Sequence, residues 1–316
     1  MRPPVGWFAL LCALIVCYPA PAASGVADYP FRLVTHGAGG DHQIVAENNG
    51  PAPITVHATL TGQNVATDRP WPVTVVVPPY TSLPLGRVYA SDRSAADYGF
   101  DCRYSHHFGR LDAVHDASAV YRPPFEDGRG FEVSQAYGGK LTSHDNRAEM
   151  YSIDFAMPVG SAVAAARAGV VIDVTLHHRE GGQDIGHIDK ANSIAIIHDD
   201  GTVAEYAHLS PGPAIVAAGQ RVTAGDLLGF SGSTGYSAGP HLHFMVSRPT
   251  VNDGKVSHVS VPVPFYANDP VVRFSAQKGM TVWANHDATA SGAQTARTGA
   301  ASTATGRTSP EPLRGP

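Results

Sequence analysis

The clearest signal along the chain is a repeat of two. From residue 24 to 125, runs such as "PITVHATL" (53–60) and "WPVTVVVPP" (71–79) alternate apolar and polar positions. They are rich in β-branched residues and are bounded by Asn, Gly and Pro, as strands bounded by turns are. No stretch there has helical periodicity, and the reading is an N-terminal β-sandwich domain over 24–125. "YRPPFEDGRG" (121–130) reads as a link, because Pro, Gly and charge concentrate there.

The same period continues beyond the link. "SIDFAM", "GVVIDVTL", "NSIAIIH", "TVAEYAHL", "DLLGFSG" and "HLHFMVS" are strand candidates separated by glycine-bearing turns. "HDDGT" (198–202) has Asp-Gly at its centre and predicts a hairpin. "HHREGGQDIGHIDKAN" (177–192) is a long polar loop, expected to overhang whatever site the domain carries. The second domain spans 126–284, and the chain as a whole reads as all-β. Residues 285–316 have almost no large apolar side chains, so they cannot offset their ordering entropy and are expected to be a disordered tail.

The N-terminus breaks the pattern. Arg2, the apolar run "WFALLCALIVC" and the small-x-small "APA" (20–22) form a secretory signal, so 1–23 is expected to be removed. The rival reading is a lipoprotein signal ending at Cys17, against which Val16 counts, since a small residue normally stands there. Export implies a periplasmic or secreted protein. With Cys12 and Cys17 gone, Cys102 is left alone, which excludes a disulfide framework and a thiolate metal cluster. A lone cysteine is more often a small buried residue than a nucleophile. Net charge is -5 and charged residues make up 16% of the chain, with no basic cluster, so a nucleic-acid partner is excluded. The apolar run is too short for a membrane span.

Candidate chemistry lies in "AGPHLHFMV" (238–246). On a strand, His241 and His243 point to one side, while Leu242 and Phe244 point to the other, into a core. Two imidazoles on one face suit a metal site, one as ligand and one acting on what the metal holds. Asp154 lies on the open face of the alternating run Tyr151–Ala156, and a carboxylate there needs a partner. His208 ends a strand before a turn.

Taken in order, "SHDNRAEMYSIDFAMPVGSAVAAARAGVV", "NSIAIIHDDGTVAEYAHL" and "VAAGQRVTAGDLLGFSGSTGYSAGPHLHF" closely resemble the catalytic domain of the lysostaphin-type, LytM-like zinc metallopeptidases of family M23. The resemblance runs from 130 to about 250. It implies a LytM-like antiparallel sheet with an open groove, following the β-sandwich. It also implies one zinc ion held by His144, Asp154 and His243, with His208 and His241 as catalytic histidines that do not bind the metal. Nine residues separate His144 from Asp154, more than in the commonest family spacing, and Asp145 and Glu149 within that loop are the other possible ligands. Two histidines and a carboxylate leave the open position that a catalytic zinc needs.

The function implied is a zinc endopeptidase acting on cross-link or stem peptides of peptidoglycan, working as a monomer. Two alternatives belong to other classes: a LytM-like regulator that activates cell-wall amidases without hydrolysis of its own, and a secreted protease of general proteins. His177, His178 and His187 in the long loop are expected to be solvated. His198 borders the hairpin, and His106, His107 and His115 are assigned no role.

Overall fold

The computed structural model describes residues 17–19, 29–95, 97–137, 146–268 and 271–285. Among these there is no α-helix, only a 3₁₀ turn at Ile185–His187 within the long polar loop. The all-β expectation holds throughout.

The first unit is two four-stranded sheets. One runs Phe31–Ala38, Asp41–Asn48, Thr81–Ala90, Val65–Thr67; the other runs Cys17–Pro19, Gly99–Phe108, Ile54–Gln63, Val73–Val77. Period-two alternation gives each sheet one apolar face. Leu33, Ile44, Leu85 and Val88 of the first meet Ile54, Val56, Val77 and Tyr104 of the second in one buried cluster. Cys17–Pro19, inside the stretch read as a targeting segment, pairs in parallel with Gly99–Phe108 and sets Cys17 opposite Cys102. Both thiols are free and buried. Cys102 is fully buried, which fits a packing residue and not a nucleophile.

The second unit is a nine-stranded sheet. Its order is Arg221–Val222, Gly169–Thr175, Ser193–Ile197, Val203–Ala207, Leu242–Asn252, Ile153–Phe155, Gly130–Gln135, Thr281–Trp283, with Lys255–Ser260 also paired to Leu242–Asn252. The predicted hairpin closes where expected: Gly201 has φ +82°, and Asp200 Oδ1 accepts from the Thr202 amide at 3.0 Å. His198 is part of this turn, buried, with Nδ1 2.8 Å from the Ala168 carbonyl.

The two faces of this sheet have different fates. Ile153, Val171, Ile194, Ile196, Ala204, Tyr206 and Phe244 bury one face in the domain's own core. Ile172, Ala195 and Val203, on the opposite face, pack into the sandwich core. The stretch 121–130, read from its composition as a link, is anchored: Tyr121 and Phe125 are both fully buried in the second core. Proline and charge dominate its composition, but the two aromatics supply the apolar area that fixes it. Of the expected tail, all but Asn285 lies outside the described residues.

Phe244 sits at the centre of the second core, 5.2 Å ring to ring from Tyr206 and 6.0 Å from Phe265. Phe244→Ala is expected to cost about 3–5 kcal/mol in urea unfolding, the range for emptying a packed aromatic site. Wild-type stability in that variant would mean the core is built differently.

Candidate active site

Register places the site. Ile153–Phe155 lies against Leu242–Asn252 with Asp154 directly opposite His243, and Val203–Ala207 lies on the other side with Ala207 opposite His243. Ile153 and Phe244 pair toward the core, so Asp154 and His243 must face the other way. Asp154 is only 2% exposed. A buried carboxylate is costly unless it is paired. Here Asp154 Oδ1 meets His243 Nδ1 at 2.9 Å, and Oδ2 accepts from Gln135 Nε2 at 2.7 Å.

His241 precedes the strand and is held by a bridge to Gly232. Its Nε2 lies 4.0 Å from Asp154 Oδ2. Its Nδ1 lies 2.8 Å from the carbonyl oxygen of Gly239. A carbonyl only accepts, so Nδ1 carries the proton and the neutral ring has a bare Nε2. His208 follows the same rule: Nδ1 donates to the Thr234 carbonyl at 2.7 Å. The two rings lie 4.5 Å apart, centre to centre, and His208 is 5.9 Å from His243. Burial, then the neighbouring His241 and His243, push His208 down to about 4, so it is a neutral base near pH 7.

His208 has φ +62°, an uncommon conformation for a residue with a side chain. The surroundings hold it there. The Leu209 amide donates to the Asn192 carbonyl at 3.1 Å, and the Leu209 carbonyl accepts from Thr234 Oγ1 at 2.8 Å. Asn192 Nδ2 donates to the same carbonyl at 3.2 Å and to that of His178 at 2.9 Å. Thr234 therefore grips His208 twice, through its own carbonyl and through the next residue's.

Asp154, His208, His241 and His243 line a cleft of about 510 Å³, together with Gln135, Gln183 and Tyr236. Gln183 comes from the long polar loop, which therefore does reach over the site. Tyr236 is 47% exposed there. His177, His178 and His187 do not line the cleft; the first two pack ring to ring at 4.1 Å. Asp154, His208, His241 and His243, predicted from scattered motifs, are brought together. His144 and Asp145 lie outside the described residues. Glu149, the other possible ligand, lies on the far side of His243, its Oε2 3.4 Å from Nε2. Gln135, Asn192 and Thr234 were not read as site residues. Only Thr234 had a sequence signal, its place in the glycine-rich run "SGSTG".

The arrangement is that of an all-β domain in which two imidazoles tied by Nδ1 to the backbone stand beside a carboxylate–imidazole pair. Residues 148–259 match peptidase family M23, and the chain carries an M23, LytM-like peptidase domain. Lysostaphin of Staphylococcus simulans is 33% identical over 154 residues, which are 48% of this chain and 27% of that protein. The DD-carboxypeptidase/endopeptidase Mpg of Neisseria gonorrhoeae is 38% identical over 128 residues, 40% of this chain and 26% of that protein. The solved catalytic domain of lysostaphin aligns with 40% of this chain and 87% of its own length, at 29% identity and a TM-score of 0.29. The chain thus spans about a quarter of the length of these two curated relatives.

The glycine run serves close approach. A side chain at Gly232 would put its Cβ 2.6 Å from the Ser210 amide nitrogen and 2.9 Å from the His208 carbonyl oxygen, whereas one at Gly239 would meet nothing. Gly232→Ala is expected to cost about 1–3 kcal/mol, as overpacking does. Gly239→Ala should stay within about 0.5 kcal/mol of wild type. Equal denaturation midpoints for the two variants would contradict this account of the turn.

Proposed function

We propose that this chain is an exported zinc endopeptidase that cuts peptide in bacterial peptidoglycan. The observation that carries the reading is the pair of imidazoles, His208 and His241, each bonded through Nδ1 to a backbone carbonyl with Nε2 left for chemistry, beside the Asp154–His243 pair in an open cleft. The donor set fits zinc: a buried carboxylate and an imidazole nitrogen converge within 2.9 Å, and both donor types suit that ion. Asp154 and His243 would hold it, with His144 completing the set by its place in the motif. Bound zinc would supply a Lewis acid that polarises the scissile carbonyl and makes a water more acidic.

The chain's own residues do the rest. His208 and His241 each have a bare Nε2 able to take a proton and, once charged, to donate it to the leaving amine or to the developing oxyanion. Their Nδ1 bonds to backbone keep the rings from turning as the charge changes. An open cleft roofed in part by Gln183 and Tyr236 suits an extended peptide. The relatives' names support a cell-wall substrate: one of them, from Vibrio cholerae, is a peptidoglycan DD-endopeptidase, 38% identical over 91 residues. Export rests on the N-terminal targeting pattern and brings the enzyme to that substrate.

Purified protein should bind one zinc and release muropeptides from cross-linked peptidoglycan, followed by mass spectrometry. His243→Ala should abolish stoichiometric zinc. His208→Ala and His241→Ala should keep the metal and lose activity on the order of a hundredfold, as for a lost acid–base group. Retention of zinc by His243→Ala, or near-normal turnover in both other variants, would refute the assignment. A zinc-loaded protein that leaves peptidoglycan uncut but raises amidase activity would establish the regulatory reading instead.

A further inference from the structure

His243 is held from both ends of its ring. Nδ1 faces Asp154 Oδ1 at 2.9 Å, and Nε2 faces Glu149 Oε2 at 3.4 Å. The two ring nitrogens point in different directions, so Asp154 and His243 would hold a metal through Nδ1, and Glu149 faces the other nitrogen. Glu149 is itself built in. Ser152 Oγ donates to Oε2 at 2.8 Å, and His258 Nε2 faces Oε1 at 3.7 Å. The turn that carries Glu149 is shaped by Asn146, whose Oδ1 accepts from the amides of Ala148 at 2.9 Å and Glu149 at 3.1 Å. It is docked on the strand Lys255–Ser260, with the Tyr151 amide donating to Ser260 Oγ at 3.0 Å.

His258 belongs to that same strand, which bears on the sandwich. Its ring packs 4.7 Å from the ring of His107, and the Val256 amide donates to Ser105 Oγ at 2.9 Å. A continuous path of contacts thus runs from the sandwich strand Gly99–Phe108 through His258 and Glu149 to His243.

We propose that Glu149 is a positioning residue of the metal centre and not a ligand. Its carboxylate accepts the Nε2–H of His243, so that Nδ1 is the nitrogen offered to zinc beside Asp154. His258, backed by His107 of the N-terminal sandwich, lies against that carboxylate at 3.7 Å. Carboxylates behind ligating histidines fix the tautomer and raise the basicity of the ligand, and losing one typically costs 10–100-fold in metal affinity. The proposal rests on the zinc reading for its consequence, but the hydrogen bond is testable without metal.

The test uses the full-length protein and its variants Glu149→Ala, Glu149→Gln and His258→Ala, with folding checked by circular dichroism. Glu149 is 31% exposed at its side chain, so truncation empties no core. Zinc affinity is measured by chelator competition. Glu149→Ala should still bind one zinc, about 10–100-fold more weakly than wild type. Glu149→Gln, which keeps a carbonyl acceptor, should recover most of that loss, and His258→Ala should fall in between. Separately, the metal-free proteins, labelled with ¹⁵N-histidine, are compared by NMR. The His243 Nε2–H should be protected in wild type and Glu149→Gln and exchange rapidly in Glu149→Ala. Complete loss of zinc in Glu149→Ala, as in His243→Ala, would make Glu149 a ligand and overturn the proposal. An unchanged His243 Nε2–H signal in Glu149→Ala would overturn it too. That second reading holds even if wild-type protein binds no zinc, a result that would count against the proposed function alone.

Discussion

The pairing of Asp154 with His243 is the contact on which the rest of the structure turns. It is a cross-strand pair between register partners, buried on the sheet face opposite Ile153 and Phe244 of the domain core. A carboxylate in that position is tolerable only because His243 and Gln135 bond it, and those bonds require the strands Gly130–Gln135, Ile153–Phe155 and Leu242–Asn252 to lie side by side. A slip of one residue in either pairing would turn Asp154 into the apolar core and Ile153 or Phe155 out of it. The hydrophobic pattern and the site therefore demand the same register.

Three histidines in the cleft are prepared in two different ways. His208 and His241 give their Nδ1 protons to backbone carbonyls, which leaves Nε2 bare toward the work to be done. His243 is turned the opposite way, with Nδ1 toward a carboxylate in the cleft and Nε2 toward one behind it. A carbonyl partner suits a residue that must exchange protons. A carboxylate behind the ring suits the metal-holding role proposed for His243. The strained φ of His208 is held by Thr234 and Asn192, so the cost of that conformation is met by the fold around it.

The sandwich shares buried packing with the second unit. It packs on the sheet face that, farther along, carries the site: Val203 lies in the sandwich core, and Ala207, four residues on, lies opposite His243. At about 3.3 Å per residue the two regions are roughly 13 Å apart on one face. Glu205 lies between them, its carboxyl raised by burial. The strand Lys255–Ser260 touches both regions, with the Val256 amide on Ser105 Oγ of the sandwich and the turn carrying Glu149 docked on Ser260.

The alternation of apolar and polar residues was enough to establish an all-β chain, the hairpin at Asp200–Gly201, and the outward side of Asp154, His241 and His243, because a period of two is a local property of each strand. The motif order also made His208 legible. What stayed hidden was everything set by neighbours distant in sequence. Gln135, Asn192 and Thr234 carry no chemistry of their own; they matter because register and turns bring them to Asp154 and His208. The anchoring of the link at 121–130 was not legible either, because two buried aromatics, and not its overall composition, fix it to the second core. The side of His243 on which Glu149 lies was not readable at all. A ring has two nitrogens, and only the docking of the turn 146–152 on a strand more than a hundred residues later decides which of them that carboxylate can reach.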